Sequence, residues 1–136
     1  MPQISDITIN NGESTPVAKT FTPDQISPKS VAEYSDNSGG VAVGSPVIKL
    51  SNRKGAQGGH RVQIDVALPV LESSNGPNAA GFTPAATVAY TLRSKHEFIL
   101  PSRSSKSTRE DLLAFAKNIL SLAVAEALIE DLQSVY

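Results

Sequence analysis

TVAYTLRSKHEFIL, residues Thr87 to Leu100, reads as one long strand with two unlike faces. Successive side chains of a strand point to opposite sides. Val88, Tyr90, Leu92, Phe98 and Leu100 therefore share one face, interrupted by Ser94 and His96. Thr91, Arg93, Lys95 and Glu97 share the other. A charged row on an extended element suits a polyanion; an ordinary solvated sheet face is the plainer reading. Pro101 stops the strand.

Two earlier runs repeat the pattern. His60–Leu71 alternates Arg61, Gln63 and Asp65 with Val62, Ile64, Val66 and Leu68. A slip of one residue would bury the charges, so its register is strongly specified. Val41–Ser51 is extended but broken near Gly44 and Pro46, where a bulge, an edge or a join between strands is expected. After that break Val47, Lys49, Ser51 and Arg53 fall on one face, with Ile48 and Leu50 on the other. If the three runs are neighbours, their polar positions form a mostly basic lattice on one sheet face. Lys and Arg supply phosphate contacts there, while Gln, Thr, Ser and Glu can bond base edges. A flat sheet suits splayed, unpaired RNA bases. The shortage of aromatics argues against a generic single-strand binder.

The remaining strands are shorter. Ile4–Asn10 alternates and Asn11-Gly12 suits a two-residue type I′ turn, so with Thr15–Phe21 it reads as a hairpin over residues 1–21. An isolated hairpin is marginal and must lie on something. Thr22–Ser30 (TPDQISPKS) reads as a loop. Val31–Asp36 reads as a strand turning at Asn37-Ser38-Gly39-Gly40, and Asn52–Gly59 as a Gly-rich connection carrying Arg53 and Lys54. Glu72–Pro84 is too long for a tight hairpin, and long loops in compact domains are usually functional or mobile.

Beyond the polar spacer Ser102–Lys106 the period changes. Ser107-Thr108-Arg109-Glu110 fits a capping box. Apolar residues from Leu112 to Leu132 then recur at helical spacing, giving a helix of about 25 residues, long for a small domain. Asn118 and Ser121 are its weakest points, where it bends or divides. Strands followed by helices indicate an α+β fold, with the helices (107–133) on one face of an antiparallel sheet (31–101).

Composition narrows the function classes. A chain of 136 residues fits one domain, residues 1–136. Without cysteine there is neither a disulfide framework nor a thiolate metal site. The opening MPQISDITINN has no basic and apolar leader, so no signal peptide is expected, and no apolar run is long enough for a membrane span. A soluble protein is expected. The net charge of −1 is unevenly spread: residues 1–48 carry two lysines against five acids, residues 49–109 nine Lys/Arg against three, and residues 110–136 one lysine against five. A basic middle between acidic ends points to nucleic acid or to contacts between copies.

No catalytic, metal or cofactor motif appears. His60 and His96 are far apart and outside any ligand spacing. No Gly-x-Ser-x-Gly elbow or phosphate loop is present. An enzyme, a cofactor or a small-molecule substrate is not expected. One hairpin and one helical segment are thin cover for a broad sheet, so a second copy is expected to complete the core, most simply as a symmetric dimer.

Taken together, these pieces resemble the coat proteins of single-stranded RNA bacteriophages, the levivirus type. The resemblance rests on Val31-Ala32-Glu33-Tyr34, RVQIDVALP at 61–69 and the loop at 72–84. It continues through Glu97-Phe98-Ile99-Leu100-Pro101 and the tail DLLAFAKNILSLAVAEALIEDLQSVY that ends in Val135-Tyr136. No single motif is diagnostic; the ordered set covers nearly the whole chain. The resemblance implies an intertwined homodimer whose sheets join edge to edge and whose C-terminal helices clasp the partner. Dimers would assemble, in the host bacterial cytoplasm, into an icosahedral shell, the virion capsid. The inner sheet face would bind genomic RNA, including a hairpin whose occupation represses replicase translation. By matched strand position the RNA contacts would be Lys49, Ser51, Arg53, Arg61, Gln63, Asp65, Arg93, Lys95 and Glu97. Asp65 stands where the family has a basic or neutral residue, and Arg93 where it often has a stacking aromatic. Gly76, Pro77 and Gly81 suit the loop that gathers around symmetry axes and changes shape there. The family sheet has about five strands against four counted here, which the Gly44–Pro46 break would reconcile, and its C-terminal segment is two helices. The alternative reading is a dimeric RNA-binding regulator that does not assemble.

Overall fold

The structure, a computed structural model, describes residues 4–27, 31–73, 76–77 and 79–134. The Val135-Tyr136 pair and residues 28–30 of the expected loop lie outside this range. Six strands form one antiparallel meander in chain order: β1 (Ile7–Asn10), β2 (Ala18–Ser27), β3 (Val31–Ser35), β4 (Val47–Lys54), β5 (His60–Leu71) and β6 (Val88–Leu100). Two helices follow, α1 (Lys106–Leu120) and α2 (Ala123–Glu130). The α+β class expected from the sequence is therefore observed, with six strands rather than about five.

The extra strand does not come from the Gly44–Pro46 break. Ala42–Gly44 forms a single 3-10 turn, and β4 begins only after Pro46. The count is six because the expected hairpin's two strands join the four counted over 31–101: Thr22–Ser30 is not all loop, and β2 runs on to Ser27 to pair with β3. The first part of β2 (Ala18–Phe21) pairs with β1 and the second (Thr22–Ser27) with β3, with a bulge between Pro23 and Gln25. Each part thus has one neighbour, the edge-like setting in which a proline is tolerated. Pro69 is accommodated similarly, since it lies past Ala67, the last β5 residue paired with β4.

The hairpin turn also differs from expectation. Asn10 pairs with Ala18, so the connection is longer than two residues, and Gly12 does not have a positive φ. Asn11 bridges it instead. Its side-chain oxygen accepts from Val17 N–H at 2.8 Å, and its own N–H donates to Val17 O at 2.9 Å. Asn competes for local backbone in this way because its short amide mimics a turn.

β2 carries Phe21 onto the apolar side of the sheet, where Phe21, Tyr34 and Ile48 are the buried hydrophobic residues among those described. Ile7, Ala32, Leu50 and Val66 pack against them. Beside this cluster, Asp36 N–H donates to Pro46 O at 3.1 Å, and the Asp36 carboxylate accepts from Ser38 N–H at 3.0 Å. Hydrogen bonds from the Ser38 side chain and backbone hold the Asp36 carboxyl below its ordinary value, opposed by burial and assisted by Lys19.

Helix α1 starts two residues earlier than the capping box at Ser107 suggests. Ser104 turns back on Pro101 O, by its N–H at 3.0 Å and its hydroxyl at 2.7 Å, so the chain reverses at once. Ser105 then becomes the N-cap, accepting from Thr108 N–H at 3.2 Å. The expected division falls at Ser121 and Leu122, where the helices bend by 60°. The Ser121 hydroxyl and N–H both turn back on Asn118 O, ending the helical ladder. No single helix is long and apolar enough to cross a membrane among the described residues. Neither helix has a buried residue.

Phe21 ties the hairpin to the sheet. Phe21→Ala should cost about 3–5 kcal/mol in denaturant unfolding of the full chain, the usual range for truncating a core aromatic. A cost under about 1 kcal/mol would show that other contacts dock the hairpin.

Candidate nucleic-acid interface

The register brings all nine sequence-predicted residues onto one face of β4, β5 and β6. Lys49 is opposite Asp65, Ser51 opposite Gln63 and Arg53 opposite Arg61. Across the next ladder Asp65 is opposite Lys95, Gln63 opposite Glu97 and Ala67 opposite Arg93. β3 extends the lattice, with Glu33 opposite Lys49. One row therefore reads Glu33, Lys49, Asp65, Lys95 across four strands, its signs alternating. Opposite charges on facing strands support pairing. The neighbouring row is Ser51, Gln63, Glu97.

Two cations of this face are engaged by acids. Lys49 Nζ lies 3.1 Å from Glu33 Oε2, and Arg61 Nε 3.1 Å from Glu97 Oε1. These groups keep substantial exposure, so each pair contributes modestly to stability and stays exchangeable. Arg53, Arg93 and Lys95 make no ion pair among the described residues. Gln63 Nε2 donates to Asp65 Oδ2 in a short hydrogen bond. Between the rows the face dips into a depression of about 570 Å³, lined by Glu33, Lys49, Asp65, Arg93 and Lys95 over Val47 and Ala67. Glu33 and Ala67 were not assigned to this face from the sequence, whereas Val47 was, beside Lys49, Ser51 and Arg53. Their strands were identified, but only the pairing register shows that they border the same depression.

The opposite side of the same strands is apolar. Val62 faces Phe98, Leu68 faces Leu92 and Val70 faces Tyr90. His96, on this side, has Nε2 3.0 Å from the Ser94 hydroxyl, and His60 Nδ1 is 2.9 Å from Asn52 Oδ1. No cluster of metal ligands occurs among the described residues. Gly76, Pro77 and Gly81 stand apart from the charged lattice, in the connection beyond β5 and before β6. Gly76 and Gly81 adopt φ of 76° and 77°, which only glycine takes without strain. Thr87 and Glu72 close the neck of this loop: Glu72 N–H donates to Thr87 O, and the Thr87 hydroxyl donates to Glu72 Oε2, both at 2.9 Å.

A meander with a charged face, a half-open apolar face and two trailing helices can be compared with known proteins. The sequence model of the family described as Levivirus coat protein matches residues 2–136. This chain belongs to that family. Among solved structures it is similar to the "Virus-like particle of bacteriophage ESE058", at 31% identity and a TM-score of 0.91, covering 99% of this chain and 100% of that one. The bacteriophage GA protein capsid shares the fold at 15% identity, with a TM-score of 0.75 and 98% of each chain covered. So does an unassembled bacteriophage coat protein described as an RNA-binding dimer, at 12% identity, a TM-score of 0.65 and 98% of each chain. No protein with a curated description matches. The family and its assembled relatives give this coat protein a structural role in a capsid and place it in the virion.

The exposure of the Glu33–Lys49 pair sets its worth. A double-mutant cycle with Glu33→Ala and Lys49→Ala, read by denaturant unfolding, should give a coupling under about 1 kcal/mol. A coupling of several kcal/mol would mean that the row is clamped for stability and not held open for exchange.

Proposed function

We propose that this coat protein forms a two-fold homodimer, assembles into an icosahedral shell and packages single-stranded genomic RNA against the charged side of its sheet. The observation that supports this best is the shortage of cover on the other side. The chain exposes 10702 Å², whereas a folded monomer of 14.3 kDa exposes about 6,800 Å². The excess is apolar in the places that matter. Tyr90 and Leu92 on β6 are more than half exposed, as are Phe115, Ile119, Val124 and Ile129 on the helices. Apolar patches of that extent mark interaction surfaces. β6 is also an edge strand of thirteen residues, and a long bare edge is a template for pairing with another chain.

A second copy joined at β6 meets both needs. Helix α1 is 15 residues, or about 22 Å, long. That is enough to cross four strands spaced about 4.8 Å apart and to lay α2 toward the apolar cleft bounded by Ile9, Phe21, Val66 and Leu68. The charged face is left for RNA, with Arg53, Arg93 and Lys95 in no ion pair among the described residues and Lys49 and Arg61 in exchangeable pairs. We infer that the same face takes an RNA hairpin, that this represses replicase translation, and that assembly occurs in the host bacterial cytoplasm. The loop with Gly76, Pro77 and Gly81 is the inter-dimer contact, its glycines supplying the freedom to differ between symmetry environments.

Expressed alone, the protein should appear in electron micrographs as closed shells containing host RNA. Shortening the loop at 76–81 should change particle size or stop assembly while leaving the dimer intact. A dimer that binds RNA but never assembles would support a non-assembling RNA-binding regulator instead. For the RNA face, Arg93→Ala with Lys95→Ala should weaken RNA binding and flatten its dependence on log salt by about one to two counterions. Unchanged affinity and slope would remove these residues from the site.

A further inference from the structure

Gln63 and Asp65 stand two residues apart on the charged side of β5, joined by the bond from Gln63 Nε2 to Asp65 Oδ2. An ionised carboxylate accepts hydrogen bonds and donates none. Only the nitrogen end of the Gln63 amide can therefore face Asp65, and the carbonyl Oε1 is left to meet a ligand. Beyond the alternation of charge along its row, the fold gains little by using an acid for this. Asp65 Oδ1 is buried and has no hydrogen-bond partner among the described residues. Its in-register neighbours Lys49 and Lys95 form no ion pair with it, and Lys49 is drawn to Glu33 instead. A buried carboxylate oxygen left unpaired is destabilising. Asparagine, of the same shape, would bond to Gln63 without burying a charge. Such a group calls for a reason outside stability.

The adjacent row supplies one. Gln63 is directly opposite Glu97 on β6, and Arg61 holds the Glu97 carboxylate from the side at 3.1 Å. An amide carbonyl and a carboxylate thus stand on facing strands, close enough to contact one planar group. Both are acceptors. We propose that Asp65 is a positioning residue that locks the Gln63 amide with its carbonyl toward RNA, so that Gln63 and Glu97 select bases carrying an exocyclic amino group. This rests on the reading of the face as an RNA site. Adenine and cytosine offer such an amino group, and guanine offers one beside a ring N–H. Uracil offers only N3–H, flanked by two carbonyl oxygens that the Glu97 carboxylate repels. The row therefore discriminates against uridine.

The test is binding of the full-length protein to oligoadenylate, oligocytidylate and oligouridylate of equal length, followed by fluorescence anisotropy at several salt concentrations. Wild type should favour the first two over oligouridylate by about fivefold, the factor that one net hydrogen bond supplies. Asp65→Asn, whose amide can bond Gln63 in either orientation, should bring that ratio toward one while strengthening binding to all three by removing a negative charge. Gln63→Leu should also lose the ratio without improving affinity for oligouridylate. Equal, salt-dependent binding of the three oligomers by wild type, or an unchanged ratio in Asp65→Asn, overturns the inference and leaves the RNA face standing. No binding of any oligomer at low salt overturns the RNA face and this inference with it. Denaturant unfolding of both variants guards against misfolding, and a folded Gln63→Leu protein that keeps the ratio is equally decisive against the inference.

Discussion

The shared register of β4, β5 and β6 is the constraint on which the rest of the molecule depends. Side chains alternate with a period of two, and Ile48, Val66 and Ser94 fall in line on one side while Lys49, Asp65 and Lys95 fall in line on the other. Moving any one strand by a residue would put lysines and carboxylates into the apolar layer, at the cost of desolvating charges. The register is thus held from both sides. Apolar burial under Phe21 fixes one face, and alternating charge across the strands fits the other.

That division creates the shortage that shapes the whole chain. Only Phe21, Tyr34 and Ile48 are buried hydrophobic residues among those described. The β5–β6 half of the apolar face, with Leu68, Leu92 and Tyr90, lacks cover, and both helices carry open apolar residues. Such surface is stable in water only when something covers it. In a family of coat proteins whose relatives are particles, the same deficit that makes the single chain incomplete is the driving force available for association. In the proposed assembly, association through the apolar side leaves the charged side free for RNA.

Several local features misled in instructive ways. Asn11-Gly12 has the composition of a tight turn, yet Asn11 uses its side chain to bridge a longer connection. Prolines in Thr22–Ser30 suggested a loop, but a strand paired on one side at a time accommodates Pro23. Ser107 has the spacing of a capping box, but the reversal at Pro101–Ser104 lets Ser105 cap first. At each of these places a neighbour more distant in sequence overrides the local preference.

That the nine candidate residues share one face was legible because hydrophobic periodicity along three runs assigns faces without knowing the partners. The places of Glu33 and the floor residue Ala67 beside them were not, because membership of a row is a property of pairing between strands distant in sequence. The same holds for the bond that orients Gln63 and for the orphaned oxygen of Asp65. By itself, the sequence determined the α+β class, the two-faced strands, the basic middle and the helical break, all of which follow from local period and composition. Only the tertiary structure decided which charges meet, which cations are left free and how little of the apolar surface one chain can bury. Those depend on long-range register and on cover, and neither is encoded in any single stretch.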